Sequence, residues 1–320
     1  MSSSGRAGRM PAGLSMRPAS PFRLAGGSGR NWGRSQRGAA RAGWVLSLPA
    51  LAGVAALLVL PIGQAFYYSM TTWNGITSTW VGPDAYLQLF EDPTFLRVLE
   101  NNGLLLLAMP VVIAIPLGIA FLLHEQIAGW KFFRSAVFLP TAISWVVIGV
   151  IAVRFYALHG ILNSMLSAVG LGFIKTNMLG STHEALAALA ITLIWSQLGT
   201  NTIIFITGLA ALDPSLAEAA RVDGAGPLTV YRRVIIPQMI RFIQFAFIIT
   251  VLTAFTAIFS LIFVMTGGGP DYGSTTLEFY VYQQAFSESA FGTGALLGVL
   301  LFVIVAGISV VQVRVLRARI

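Results

Sequence analysis

The sequence predicts an all-α protein with six membrane-spanning helices. Hydrophobic residues make up 56% of the 320 residues and charged residues only 10%, whereas soluble domains carry about 25% charged residues. Six segments are apolar over the roughly 20 residues that a helix needs to cross about 30 Å of hydrocarbon. These predicted spans are 44–68, 103–123, 136–155, 185–208, 238–265 and 294–313. Residues 44–320 are therefore predicted to form one membrane domain.

The composition also excludes several kinds of site. The chain has no cysteine, so disulfides and thiolate metal sites are ruled out. Its three histidines, His124, His159 and His183, are far apart in the sequence and lie outside the long apolar runs. We predict neither a metal site nor a catalytic site.

The first 43 residues form a basic tail that is rich in glycine and serine. The tail carries eight arginines and no acid, and such a segment cannot bury a core, so we predict that it is disordered. Its charge is typical of a cytoplasmic segment that guides insertion and contacts lipid. Binding to nucleic acid is disfavoured because Phe22 and Trp32 are its only aromatic residues.

The charges predict the orientation. With the N-terminus in the cytoplasm, six spans leave only three of the 20 basic residues outside, namely Arg97, Arg154 and Lys175. The acidic residues show the opposite bias, with eight of the 12 outside. Since basic residues are retained on the cytoplasmic side during insertion, both termini are predicted to be cytoplasmic.

A polar loop, 209–236, separates the fourth and fifth predicted spans on the cytoplasmic side. Asp213 and Pro214 are typical of a helix start, and Gly224 is typical of a helix end. A second short helix is predicted from Gly226-Pro227, so the loop is expected to form a helix–turn–helix.

The first helix of this loop is expected to dock on a partner protein. Leu216, Ala219 and Ala220 are predicted to share one face, where small side chains allow close approach of the backbone. The alternative is an amphipathic helix that lies on lipid headgroups. Glu218 and Asp223 disfavour that alternative because the cytoplasmic leaflet is anionic.

The loop resembles a known family signature. Glu218-Ala-Ala220 is followed after three residues by Gly224, and after nine more by Val234-Ile-Ile-Pro237. This spacing is similar to that of the membrane (permease) subunits of binding-protein-dependent ABC importers. Asp223-Gly-Ala225 is similar to the carbohydrate branch. Thr266-Gly-Gly-Gly-Pro270, followed by Tyr280-Val-Tyr282, resembles the "F" type of maltose-importer subunit.

The resemblance implies a type I ABC importer permease fold, with a cytoplasmic coupling helix and a set of partners. The partners are a second homologous permease subunit, two copies of an ABC ATPase, an extracytoplasmic solute-binding protein, a sugar and the lipid bilayer, with no nucleic acid. The implied ATPase-coupling residues are Glu218, Ala219, Ala220, Asp223 and Gly224. ATP and Mg²⁺ would be bound by the ATPase, and no cofactor by this chain. The sequence is consistent with ATP binding on a separate subunit, because it has no G-x-x-x-x-G-K-[ST] phosphate-binding loop.

Polar and aromatic residues within the spans suggest a sugar pathway. By the resemblance, the sugar-facing positions are Thr141, Trp145, Gln197, Asn201, Phe255 and Ile258. The alternative for each is helix–helix packing, which uses the same residue types in membranes. Gly267, Gly268 and Gly269 are expected at the external mouth near the docked binding protein, with a simple turn as the alternative.

Two other functions are weighed against sugar import. A secondary carrier driven by ions or protons usually has ionisable residues at mid-membrane, and the predicted spans have none there. A glycerol phosphate is the alternative cargo within the family. The lack of an evident fixed cation in the pathway favours a neutral saccharide.

Overall fold

The computed structural model describes the backbone of residues 32–126 and 128–317, and the side chains of residues 43–126 and 128–314. All regular elements in these ranges are helical, and the one isolated bridge pairs Thr71 with Trp80. The prediction of an all-α protein is confirmed.

The chain divides into two compact units, and the first ends at Val59. Its described part is helix α1, Trp32–Val54, followed by the π-helical turn Ala55–Val59. The helix thus begins before residue 44. Residues 1–31 of the predicted tail lie outside the described residues, so the division into tail and membrane domain stays a prediction.

The second unit begins at Leu60 and contains the rest of the described chain. Its helices are α2 (Leu60–Tyr68), α3 (Asp84–Glu91), α4 (Pro93–His124), α5 (Trp130–Phe138), α6 (Trp145–Tyr156), α7 (Ile161–Ala168), α8 (Glu184–Ala210), α9 (Pro214–Val222), α10 (Pro227–Val230), α11 (Ile236–Gln238), α12 (Ile240–Thr256), α13 (Phe259–Met265), α14 (Leu277–Tyr282) and α15 (Phe291–Arg317).

Five stretches in the described residues are long and apolar enough to cross a membrane. They are Gly43–Tyr68, Pro93–His124, Trp145–Ala168, Glu184–Ala210 and Phe291–Arg314. A sixth candidate is the bent pair Pro227–Gln238 and Ile240–Thr256, whose axes differ by 70°. Counting this pair as one span gives the six that the sequence predicts.

The third span starts later than predicted. The apolar run from residue 136 suggested a continuous helix, but Leu139–Ala142 form a 3₁₀ turn that contains Pro140. Proline cannot donate to a helical hydrogen bond. Helix α6 begins afresh at Trp145, and the Ser144 hydroxyl accepts a 3.4 Å hydrogen bond from the N–H of Val147. This serine cap fixes the new start.

The fifth span is broken rather than continuous over 238–265. Helix α12 ends at Thr256, and α13 begins at Phe259 after Ala257 and Ile258 leave helical geometry. Ile258 is fully buried. Hydrophobicity alone predicted one helix because the residues on both sides of the break are apolar.

The core of the second unit is formed where α4, α6, α8, α12 and α13 pack together. Leu105 and Met109 of α4, Leu189 and Leu193 of α8, and Leu261 of α13 are all buried in one cluster. Nearer the polar loop 209–236, Gly208 of α8 lies against the ring of Phe242 in α12. A Cβ atom added at residue 208 would lie 2.7 Å from Cγ of that ring. Glycine is therefore required there by close packing.

We predict that Gly208→Ala destabilises the protein by about 1–3 kcal/mol, because the methyl group overpacks the contact with Phe242. Thermal unfolding of the purified protein in detergent measures the change. Gly118→Ala in α4 is the matched control, since nothing lies within 4 Å of an added Cβ atom there. The control should be neutral or slightly stabilising. Equal melting temperatures for the two variants would contradict the packing argument.

Candidate coupling helix and solute pathway

Both ends of α9 are capped as the sequence predicts. A side-chain oxygen of Asp213 accepts a 2.9 Å hydrogen bond from the N–H of Ser215, and this hydrogen bonding lowers the pKa of Asp213. At the other end Gly224 has φ = +84°, and the N–H of Ala225 donates to the carbonyl of Ala220 at 3.0 Å. The left-handed glycine ends the helix because side chains disfavour that conformation.

The orientation of α9 divides the predicted coupling residues between two faces. Ala217 and Ala220 are half-buried and pack against the core cluster around Phe205 and Leu209. Glu218 and Ala219 are exposed, as are Asp223 and Gly224 beyond the helix. Of the three residues predicted to share one face, Leu216 and Ala219 are exposed, and Ala220 is turned partly toward the core. The inward face also needs small residues, because α9 lies close to the spanning helices.

The outward surface of α9 and α10 is unusually apolar for a polar loop. Leu216 is 48% exposed, Val222 87% and Leu228 80%. Glu218 and Asp223 lie beside them in the chain and are also exposed. Such a surface, apolar with acidic neighbours, suits contact with another protein.

Glu125, just after α4, connects to this loop. One of its carboxylate oxygens lies 3.2 Å from a guanidinium nitrogen of Arg221 and accepts a 2.5 Å hydrogen bond from the Tyr231 hydroxyl. The ring of Tyr231 also packs on Phe121, with centroids 4.6 Å apart. Sequence reasoning missed Glu125 because it is 96 positions from Arg221 and belongs to no motif.

A cavity of about 300 Å³ lies between the end of α4 and α9. Its lining includes Glu125, Asp213, Glu218 and Arg221. The cavity is large enough to receive a side chain, and it brings the predicted coupling residue Glu218 next to the Glu125 ion pair.

The predicted sugar-facing residues differ in exposure. Thr141 is exposed and Trp145 is half-buried. Gln197 is 6% exposed, and Phe255 and Ile258 are buried in the main core cluster, which Trp145 also contacts. Of these five residues, only Thr141 and Trp145 are appreciably exposed. Their roles in transport stay predictions.

Asn201, the sixth of these residues, is completely buried and links three helices. Its side-chain nitrogen lies 3.3 Å from the carbonyl oxygen of Val112 in α4 and 3.2 Å from the hydroxyl of Thr250 in α12. The Thr250 hydroxyl also lies 3.3 Å from the amide oxygen of Asn201. This geometry fits the packing alternative, in which an amide joins helices inside a membrane.

The glycine segment 267–269 is held by more contacts than a simple turn. Gly267 and Gly268 have φ values of +61° and +82°. A Cβ atom on Gly268 would lie 2.5 Å from the Thr275 hydroxyl, which donates to the carbonyl of Gly268 at 2.7 Å. Gly268 is thus required both by its conformation and by close approach.

Two buried asparagines of α4 hold the segment that follows the glycines. Asn101 donates to the carbonyls of Tyr272 and Thr275 at 2.7 and 2.9 Å, and Asn102 accepts from the N–H of Leu277 at 2.8 Å. Consecutive polar residues beside a long apolar run were the available signal for this contact, and sequence reasoning did not use it.

Comparison with known proteins decides the family. The model for the "Binding-protein-dependent transport system inner membrane component" family matches residues 104–319, which include the polar loop 209–236 and the glycine segment 267–269. The chain belongs to this family. It is a multi-pass membrane protein of the permease type, as the resemblance implied.

Several curated permeases are similar over most of their length. The "Multiple sugar-binding transport system permease protein MsmF" of Streptococcus mutans is 32% identical over 276 residues, which cover 85% of this chain and 94% of that protein. The "Diacetylchitobiose uptake system permease protein NgcF" of Streptomyces coelicolor is 29% identical, with 76% and 73% covered. The "sn-glycerol-3-phosphate transport system permease protein UgpA" of Yersinia pestis is 26% identical, with 87% and 94% covered.

A solved permease has the same fold. It comes from a bacterial ABC transporter involved in the import of the acidic polysaccharide alginate, and it aligns with a TM-score of 0.75 at 22% identity. The alignment covers 90% of this chain and 99% of that one. The ABC importer permease fold predicted from the sequence is confirmed.

We predict that Gly224→Ala loosens the end of α9, because a side chain in the left-handed region costs about 1–2 kcal/mol. Amide hydrogen exchange of residues 213–225 in the purified protein should become faster. Gly226→Ala is the matched control, since Gly226 has φ = −68° and both positions have open space around an added Cβ atom. Equal exchange in both variants would show that the left-handed glycine does not stabilise α9.

We predict that Asn201→Leu lowers stability by about 1–3 kcal/mol, because it leaves the Val112 carbonyl and the Thr250 hydroxyl without this buried partner. Thermal unfolding in detergent measures the loss. Thr207→Val on the same helix is the control, because the Thr207 hydroxyl is exposed and bonds only to the carbonyl of Ile203. A normal melting temperature with reduced transport would instead support a direct role of Asn201 in the pathway.

Proposed function

We propose that this chain forms half of the path through which an ATP-driven importer carries a neutral saccharide into the cell. A second permease subunit supplies the other half, and a solute-binding protein delivers the sugar from outside. Two copies of a separate ABC ATPase bind and hydrolyse ATP with Mg²⁺, and α9 couples one of them to the spanning helices. This chain itself binds no cofactor. Its N- and C-termini lie in the cytoplasm.

The observation that carries the proposal is the exposed surface of α9. The helix is capped at both ends, it stands outside the spanning helices, and Leu216 and Val222 are exposed beside Glu218. An isolated helix of nine residues is marginal in water, so packing of Ala217 and Ala220 on the core must hold it in place. A helix held in this way with its apolar side chains outward is suited to enter a cleft on a partner.

Sugar as the cargo is supported by the printed functions of the relatives and by the residues near the pathway. Two of the similar permeases are named for multiple sugars and for diacetylchitobiose. Trp145 offers an aromatic face and Thr141 a hydroxyl, and both groups can contact a neutral saccharide. Glycerol phosphate, named for a third relative, is the alternative cargo that the test must separate.

We predict that Glu218→Lys abolishes ATP-dependent sugar uptake while the protein still inserts and pairs with its partner permease. Glu218 is exposed at the rim of the cavity beside α9, and a reversed charge there should prevent docking of the ATPase, since an unpaired like-charge contact disfavours binding. Uptake is measured in proteoliposomes that contain both permeases and the ATPase, with the cognate binding protein loaded with maltose, diacetylchitobiose or glycerol 3-phosphate.

The matched control is Glu100→Lys, a reversal of an exposed glutamate on α4 far from α9 in the sequence. It should leave uptake and retention of the ATPase unchanged. Normal uptake by the Glu218→Lys variant would contradict the coupling role of α9. Transport driven by an ion gradient without ATP would show that the protein is a secondary carrier instead. Uptake of glycerol 3-phosphate but of neither sugar would show that the cargo is the phosphate.

A further inference from the structure

Two ion pairs occur among the described side chains, and they differ in what they connect. Arg97 and Glu100, with a nitrogen–oxygen distance of 2.9 Å, are neighbours on one turn of α4. Arg221 and Glu125, at 3.2 Å, are 96 positions apart and join α9 to the end of α4. Only the second pair can transmit a displacement from one element to another.

Glu125 has a second long-range partner through the same oxygen. The Tyr231 hydroxyl donates to it at 2.5 Å, and Tyr231 begins the π-helical turn Tyr231–Ile235. This turn leads through α11 and the 70° bend into α12. One carboxylate oxygen therefore contacts both α9 and the segment that leads into the fifth span.

The carboxylate itself is fixed to α4. Phe121, one helical turn before Glu125, packs its ring on Tyr231 at 4.6 Å. Earlier in α4, the carbonyl of Val112 is joined to α8 and α12 by Asn201. A displacement of α9 that keeps the Glu125 contacts must therefore also move the end of α4 and the start of α12.

The pair contributes little to folding on its own, because the side chains of Arg221 and Glu125 are 52% and 44% exposed and exposed ion pairs are weak. Its effect is geometric instead. The carboxylate accepts from a guanidinium and from a phenol, and these two donors set the angle between α9 and α4. Such a weak pair can still set this angle, because the contact between the rings of Phe121 and Tyr231 already limits how the end of α4 and the Tyr231 turn can be arranged.

We propose that Glu125 is a positioning residue for coupling. It holds α9, the end of α4 and the lead into α12 as one unit, so that a push on α9 moves the spanning helices. The proposal rests on the proposed function, in which an ATPase docks on α9. It adds the residue that converts this docking into movement of the pathway.

The test measures sugar taken up for each ATP hydrolysed, in proteoliposomes with the complete importer and its loaded binding protein. Glu125→Gln keeps the shape of the side chain and an acceptor for Tyr231 but removes the charge that holds Arg221. We expect uptake per ATP to fall about threefold, within the range of couplings between residues in contact, while the ATPase stays bound during purification.

A charge swap separates this pairing from a general loss of structure. Glu125→Arg and Arg221→Glu should each lower uptake per ATP, and the double variant should recover part of the loss, because the ion pair is restored with reversed polarity while the hydrogen bond from Tyr231 is not. Glu100→Gln, which removes the local pair on α4, is the matched control and should leave the ratio unchanged. In the permease alone, amide hydrogen exchange of residues 213–225 should be faster in the variants with lower uptake per ATP.

Two outcomes would overturn the positioning role. One is a normal ratio in Glu125→Gln, and the other is a double variant as defective as its two single variants combined. Failure of the proposed function is distinguishable, because Glu218→Lys would then leave uptake intact. If Glu218→Lys abolishes uptake and Glu125→Gln does not change the ratio, α9 docks on the ATPase but Glu125 does not position it.

Discussion

The packing of α4, α8 and α12 around the amide of Asn201 is the interaction on which the rest of the second unit depends. Lipid offers neither a hydrophobic drive between helices nor hydrogen bonds to their polar groups. Helices in a membrane are therefore held by close packing and by a few buried hydrogen bonds. Asn201 supplies such bonds to Val112 and Thr250, and Gly208 allows the close approach of Phe242. Both contacts lie on α8, so this helix fixes the relation between its two neighbours.

The polar loop 209–236 packs directly on these helices. Ala217 and Ala220 pack against the cluster that contains Phe205 and Leu209 of α8, which leaves Leu216 and Val222 outward. The small residues that were expected to contact a partner thus include one, Ala220, that packs on the core instead. The loop thus packs on the end of α8, and its Arg221 and Tyr231 also contact Glu125 at the end of α4.

The breaks in the third and fifth spans show that hydrophobicity does not predict where a helix stops within an apolar stretch. The sequence around Pro140 is as apolar as a spanning helix, yet the helix stops there and restarts under the Ser144 cap. At Ala257 and Ile258 no proline or glycine marks the break. Ile258 at this break is buried among residues distant in sequence, and a local pattern carries no record of such contacts.

The sequence by itself determined the all-α class, the family and the ends of α9. Each of these depends on composition or on short-range spacing, such as Asp213-Pro214 at a helix start and Gly224 at its end. Tertiary structure decided which face of α9 points outward, that the amide of Asn201 is buried between three helices, and that Glu125 contacts Arg221 and Tyr231. These features arise from contacts between residues far apart in the chain. Such contacts depend on how whole helices pack, and packing is a property of the assembled fold that no single segment encodes.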